Sequence, residues 1–347
     1  MMVGIRVDCN ANIATGHIMR CLAIAEEIRR QGVEVSFIVS DSAAATLAES
    51  YGYECHCLKN DYSNKDGEVE RILALIEEKK LMFLLIDSYE VTETYLNELH
   101  KHIRLGYIDD LNAFHYGVDL LINYTRNVTM DEYKHWDDDK VTYLLGSKYV
   151  PLRMEFRDKV RDIKEEVTDV LLTTGGSDPL GISNVIAKEL VSTSELSNVK
   201  VHLVVGRLFD HVKELERLAD AHPQIILHQN VTNMAEVMIQ CDLAISAGGT
   251  TIAELCACGI PTIAFSFTDN QSGIFEYGKD NIVLLVGDIR NDTAAGARKV
   301  VNEVVRSKSN YRLRRELSMT ANNAIDGNGA GRIANAIVGV IERLEER

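Results

Sequence analysis

Along the chain, short apolar runs with little polar alternation trade places with stretches in which apolar residues recur every three or four positions. The runs VGIRVD (3–8), VEVSFIV (33–39), MFLLID (82–87), RLGYID (104–109) and DLLIN (119–123) predict strands buried on both faces. Between them, IMRCLAIAEEIRR (18–30), SAAATLAESYG (42–52) and GEVERILALIEEKK (67–80) carry helical spacing. The alternation restarts near residue 168, with TDVLLTT (168–174), VKVHLVV (199–205), QIILH (224–228), DLAIS (242–246) and PTIAF (261–265) separated by helices around 180–192, 210–221, 232–240 and 250–258. Strand–helix alternation of this length predicts an α/β chain of two Rossmann-like, doubly wound parallel-sheet domains with right-handed crossovers.

The charged stretch PLRMEFRDKVRDIKEE (151–166) lies between the two series and marks the linker. The expected division is a first domain over 1–152, a second over 165–325, and a closing segment over 326–347. That segment reads as a helix opened by glycines, with Ile333, Ile337, Val340 and Ile341 on one face, able to pack back on the first domain. Two such domains are expected to face each other across a cleft lined by the loops that follow the strands.

Composition narrows the partners. A formal net charge of −15 over 347 residues argues against nucleic acid or an anionic membrane as the main partner. An anion must then be held locally, at helix N-termini or by a few placed cations. No stretch reaches the roughly 18 uninterrupted apolar residues of a membrane span, and the start of the chain reads as a first strand, not a leader. The seven cysteines, Cys9, Cys21, Cys55, Cys57, Cys241, Cys256 and Cys258, form no CxxC pair, and their odd number suits a reducing, cytoplasmic setting. Cys55-His56-Cys57 and Cys256-Ala257-Cys258 read as small apolar residues on a strand and a helix, not as metal ligands.

Three stretches carry candidate chemistry. In DCNANIATGHIMRCLAIAEEI (8–28) the chain leaves its first strand at Asp8 and enters a helix whose opening carries Gly16 and His17. A side chain there faces the crevice beyond the strand ends. The positive end of the helix disfavours an imidazolium, and an uncharged ring is what a general base requires. A histidine that only caps the helix or bonds a nearby carbonyl is the plain alternative. In LLTTGGSDPLG (171–181), Gly175, Gly176 and Ser177 form a turn whose bare N–H groups can hold a diphosphate. The same turn can equally be a tight βα connection capped by Ser177 or Asp178.

The third stretch, CDLAISAGGTTIAELCACGIPTIAFSFTDNQ (241–271), is the strongest. Its strand ends at Ser246, Gly248 and Gly249 turn the chain, and Thr250 or Thr251 is expected to cap the next helix. Glu254 is the lone acid of that mostly apolar helix, about one turn inside, where a carboxylate can accept both hydroxyls of a ribose.

AISAGGTTIAELCACGIPTIAF (244–265), followed by DNQ, resembles the nucleotide-binding signature of nucleotide-sugar enzymes with the GT-B fold, especially the lipid II N-acetylglucosaminyltransferase group. Within that set the whole chain resembles the UDP-2,4-diacetamido-2,4,6-trideoxy-β-L-altropyranose hydrolase family of the pseudaminic acid pathway and its spore-coat polysaccharide relatives. The match runs through residues 6–28, LLIDSY (84–89), YIDDLN (107–112), LLGSKYVPLRMEF (144–156), LLTTGGSDP (171–179) and DGNGAGRI (326–333).

The resemblance implies an inverting hydrolase that splits a UDP-sugar into UDP and free sugar without metal or other cofactor. It implies that His17 positions or deprotonates the attacking water and that Asp87, Tyr89 and Asn10 line the sugar side. The Gly175–Ser177 turn, the Gly248–Thr251 turn and the Asn270-Gln271 pair would hold the diphosphate, and Glu254 the ribose. Where the family pattern reads Asp-His-Tyr-Gly, this chain has Asp87-Ser88-Tyr89-Glu90, a departure on the sugar side.

A GT-B glycosyltransferase with a UDP-sugar donor is the alternative on the same scaffold, although the first 150 residues show no apolar and basic patch for a lipid acceptor. A non-catalytic nucleotide-sugar sensor would need no base. A dinucleotide-dependent oxidoreductase is disfavoured, because the first βα turn lacks G-x-G-x-x-G and only Asp41 follows the second strand.

Overall fold

A computed structural model of the chain describes residues 1–8, 16–134 and 140–345. The first series of elements runs β1 (Met2–Val7), α1 (Gly16–Arg30), β2 (Glu34–Val39), α2 (Ser42–Ser50), β3 (Glu54–Cys57), α3 (Val69–Lys79), β4 (Phe83–Asp87), α4 (Glu93–His100), β5 (Arg104–Ile108), β6 (Leu120–Asn123), α5 (Met130–Tyr133) and β7 (Thr142–Leu145). The second runs β8 (Asp169–Thr173), α6 (Ile182–Ser192), β9 (Lys200–Val205), α7 (Val212–Ala221), β10 (Ile225–Gln229), α8 (Met234–Met238), β11 (Leu243–Ala247), α9 (Thr250–Ala257), β12 (Thr262–Ser266), α10 (Ile274–Lys279), β13 (Leu284–Asp288), α11 (Thr293–Lys308) and α12 (Tyr311–Ala324). A last helix, α13, spans Gly329–Glu345.

The strands form two wholly parallel sheets, of seven in the order β3-β2-β1-β4-β5-β6-β7 and of six in the order β10-β9-β8-β11-β12-β13. Each sheet reverses its direction of winding once, between β1 and β4 in the first and between β8 and β11 in the second. The chain divides into two compact units, Met1–Met154 with Asn328–Arg347, and Glu155–Gly327.

Both sheets carry helices on both faces, which is why their central strands are apolar throughout. All five residues of β4, β11 and β12 are buried. On one face of the first sheet, Ile18, Ala25 and Ile28 of α1 share a core with Ile333, Ile337 and Ile341 of α13. Each isoleucine among them contributes about 1.5–3 kcal/mol by leaving water. The opposite face buries Ile72 and Ile76 of α3 and Leu96 and Leu99 of α4 against Leu84, Ile86 and Leu105. In the second unit, Ile186 and Leu190 of α6 and Val300 and Val304 of α11 pack on Leu172, Ile245 and Ile263.

Two strands fall outside the sequence-based expectations. β7 and β13 are edge strands, only partly buried, so neither carries a continuous apolar run. Cys55 and Cys57 alternate along β3, whereas Cys256 and Cys258 are buried in and just after α9. Asp41 proves to be the N-cap of α2, accepting from the backbone N–H groups of Ala43 and Ala44. Among the described residues no helix is long and apolar enough to cross a membrane.

Candidate active site

Register sets up the first unit's site. Val7 pairs with Asp87, so β1 and β4 end side by side where the winding reverses, the place in an open α/β sheet at which connecting loops part and leave a crevice. Helix α1 opens there and presents His17 in its first turn. The ring Nδ1 lies 2.7 Å from Oδ1 of the buried Asp87, and the side chain keeps 12% of its surface exposed, enough to be reached. With Asp87 accepting the Nδ1 proton, Nε2 becomes the ring's acceptor.

Asp87 is in turn gripped by Arg20, three residues along the same helix and therefore on the same face. The guanidinium Nε donates to Oδ2 at 2.6 Å and Nη2 to Oδ1 at 2.5 Å, a bidentate fork. Nη2 also lies 3.0 Å from Nδ1 of His17 and 2.9 Å from Oδ2 of Asp110, while Nη1 bonds the Tyr124 hydroxyl. Tyr89 completes the ring of contacts. Its hydroxyl donates to Asp110 at 3.1 Å, and its ring meets that of His17 edge-on, with centroids 4.7 Å apart at 85°.

Burial works against the Asp87 anion, yet the charge and hydrogen bonds of Arg20, then those of His17, hold its carboxyl below the usual carboxylate range. Burial and the neighbouring Asp110 push the Tyr89 phenol up to about 12, so it remains a donor at neutral pH. Among the described residues the cluster thus offers one uncommitted ring nitrogen beside a fixed carboxylate, which is a proton-accepting arrangement.

Asp8, the other acid at these strand ends, belongs to a separate buried network. It accepts from Arg6 at 2.6 Å, Ser40 at 2.7 Å, Lys65 at 2.5 Å and Ser88 at 2.9 Å. Arg6 also forks onto Glu68 at 2.7 and 2.9 Å, and Glu68 accepts from Tyr95 and Asn60 as well. Burial alone would raise the Asp8 carboxyl, but Arg6 and Lys65 hold it at about 2. Ser88 is therefore turned toward Asp8 and buried, while Glu90 is exposed.

Sequence reasoning passed over Arg20, Asp110 and Tyr124, and over Arg6, Lys65 and Glu68. Two signals were present: the three-residue spacing from His17 to Arg20, and a charge inside the otherwise apolar β1. Nothing local announces Lys65, and Asp110 stood in YIDDLN without a role. Asn10 lies outside the described residues, and Gly16 is the exposed first residue of α1.

In the second unit the glycine turns gather at the C-terminal edge of the sheet. Gly175, with φ +89°, and Gly176 stack on the loop after β9, where a Cβ on Gly206 would stand 2.5 Å from both of their carbonyl oxygens. Ser177 is exposed, and Asp178 takes the capping role, accepting from Ile182 and Ser183 at 2.8 Å each. Across the winding reversal, Gly248 is pressed against the loop after β12, where an added Cβ would meet the Gln271 Cβ at 3.0 Å and its carbonyl oxygen at 3.1 Å.

Neither Thr250 nor Thr251 caps α9. Gly249 takes that position at φ +147°, a backbone conformation that a threonine Cβ resists, and Thr250 begins the helix. The first N–H groups of α9 therefore have no side-chain cap. Glu254 is half-buried one turn in, and with burial and Glu155 it pushes the Cys258 thiol up to about 12. Asn270 is exposed with its amide oxygen accepting from Thr268, and Gln271 accepts from the Phe267 N–H. Ser246, one residue before the end of β11, is buried, its hydroxyl donating to the Ala247 carbonyl.

Comparison with known proteins places these features among relatives. Residues 170–316 match the model of the glycosyltransferase family 28 C-terminal domain. A protein of Methanocaldococcus jannaschii is 27% identical over 80% of this chain, which spans 58% of that longer protein. The spore coat polysaccharide biosynthesis protein SpsG of Bacillus subtilis is 24% identical over 99% of both chains. The UDP-2,4-diacetamido-2,4,6-trideoxy-β-L-altropyranose hydrolase of Campylobacter jejuni is 25% identical over 78% of this chain and 93% of its own length. Among solved structures, Acinetobacter baumannii MurG superposes with a TM-score of 0.68 at 13% identity, covering 98% of this chain and all of its own. The architecture is the GT-B fold.

Proposed function

We propose, on the premise that this GT-B chain is a homologue of the UDP-diacetamido-trideoxy-altropyranose hydrolases and of SpsG, that it hydrolyses a UDP-2,4-diacetamido-2,4,6-trideoxyhexose. The products are UDP and the free sugar, made for nonulosonic acid or surface polysaccharide synthesis. The observation that carries the proposal is His17 held through Nδ1 by Asp87 at the winding reversal of the first sheet.

In this reading His17 Nε2 takes a proton from water as the water oxygen bonds to the anomeric carbon. The bond from that carbon to the diphosphate breaks on the opposite side, and configuration inverts. The leaving diphosphate gains charge, which the N–H groups of the Gly175–Ser177 and Gly248–Thr250 turns stabilise. Glu254 is assigned to the ribose hydroxyls, Asn270 and Gln271 to the diphosphate, and Tyr89 and Asn10 to the sugar. A positioned base supplies about 10²- to 10⁴-fold, and electrostatics and orientation the rest.

The test is incubation of the protein with the UDP-sugar, no acceptor and a metal chelator, followed by proton NMR. UDP and an inverted free sugar are expected, and His17→Ala should cost at least about 100-fold in kcat with UDP binding intact. Full activity in His17→Ala removes the base from the mechanism. The family 28 match favours one second reading, a transferase in which an acceptor hydroxyl replaces water. UDP release that requires an added acceptor would support it.

A further inference from the structure

Asp87 is shared by His17 and Arg20, and both favour its anion. A histidine held by a lone buried carboxylate is drawn toward the imidazolium, because the anion stabilises the added positive charge. A protonated ring accepts nothing from water. Here the carboxylate is already matched, with both oxygens on the guanidinium of Arg20. The same guanidinium places Nη2 3.0 Å from the His17 ring nitrogen, where it opposes a second positive charge.

We propose that Arg20 is the positioning residue that keeps His17 available as a proton acceptor, by neutralising Asp87 and by holding Tyr89 against the ring through Asp110. The proposal deepens the hydrolase reading and rests on it for its catalytic consequence, but not for the state of the ring.

Among the described residues, the groups that face His17 and its partners come from five places. Arg20 and Cys21 lie on α1, the thiol 3.4 Å from Asp87 Oδ2. Asp87 ends β4, and Tyr89 follows it. Asp110 follows β5 and accepts from both Arg20 and Tyr89. Tyr124 follows β6, with its hydroxyl bonded to Nη1 and its ring 5.4 Å from the guanidinium carbon. Arg20 is the cation of this group, set against the carboxylates of Asp87 and Asp110. Its removal leaves His17 as the group able to answer Asp87 by taking a proton.

The geometry also explains the fork. A lysine can supply the charge but not two parallel N–H bonds to one carboxylate together with a third to Asp110. Charge and orientation are thereby separable by substitution.

The experiment is NMR titration of the His17 ring in the full chain without substrate, assigned by the signal lost in His17→Gln, alongside the pH profile of UDP release. In Arg20→Met the ring midpoint should rise by about one unit or more. The acid limb of the rate profile should move with it, so that activity falls about tenfold on that limb, less at neutral pH, and recovers in alkali. Arg20→Lys should hold the wild-type midpoint while lowering kcat, and Arg20→Met with Asp87→Asn should return the midpoint toward wild type. An unmoved midpoint in Arg20→Met, or one still displaced in the double variant, overturns the proposal. So does a loss of activity equal at every pH. If Arg20→Met fails to fold, the lysine and double variants decide alone. A failed hydrolase reading leaves the ring titration standing, so the two failures are told apart.

Discussion

Replacing Asp8 with Asn tests what holds the strand ends in place. In the buried network, Arg6 and Lys65 are balanced by Asp8 and Glu68, and Asp8 alone takes hydrogen bonds from four side chains. The substitution leaves one buried cation in excess. Breaking a buried ion pair from one side costs about 3–5 kcal/mol. The charge environment sets the same scale: against burial, Arg6 and Lys65 hold the Asp8 carboxyl at about 2 in place of an ordinary 3.8, and a gap of nearly two units corresponds to about 2–3 kcal/mol. A destabilisation of about 3 kcal/mol at neutral pH is expected.

The folded state holds this carboxyl below its unfolded value. Its contribution is therefore complete above pH 3.8 and is lost as pH falls toward 2. The gap between wild type and Asp8→Asn should shrink over that window. Because the chain has two units, the readout is hydrogen exchange of β1 and β4 amides, which reports the first unit by itself. Adding Lys65→Met removes the surplus charge and should recover at least half the loss, as a double-mutant cycle measures. A change below about 1 kcal/mol in Asp8→Asn, or no recovery in the pair, refutes the charge-balance argument.

Asp87→Asn can present an amide N–H to Nδ1 of His17 and so reverse the ring tautomer; the equivalent change in serine protease triads costs about 10⁴-fold. Here kcat should fall about 10²- to 10⁴-fold with KM little altered, measured by UDP release. Gly248→Ala forces a Cβ into contacts of 3.0–3.2 Å with Gln271 and Ile274. UDP affinity by calorimetry should weaken several-fold, about 1 kcal/mol, while the His17 titration stays as in wild type.

The GT-B architecture was readable because both sheets bury central strands on two faces, which leaves unbroken apolar runs such as FLLID and LAISA. Edge strands escaped for the converse reason. β7 and β13 each keep a side toward solvent, and β13 slips register opposite Ala264 and Phe265, so neither shows a clean period. The helices α11 and α12 form part of the second unit without having been delimited in advance.

At the site, His17 could be read from its place at a helix opening, whereas Asp87 came from the family resemblance. Their meeting depends on the pairing of β1 with β4 across more than 70 residues. Asp110 lies in YIDDLN just past a third strand, but nothing local showed that it would meet Arg20 and Tyr89. Thr250 misled for a simpler reason: threonine is a good cap in general, but the backbone here takes a conformation open to glycine.

The course of the chain carries a consequence for biogenesis. Residues 155–327 are contiguous, so that unit can close its core as soon as its own segment has been translated. The first unit waits, because the hydrophobic face behind His17 is completed by α13, made some 300 residues after α1. Until then Ile18, Ala25 and Ile28 stand without their covering helix, and the nascent first unit is the one that chaperones should meet on the ribosome.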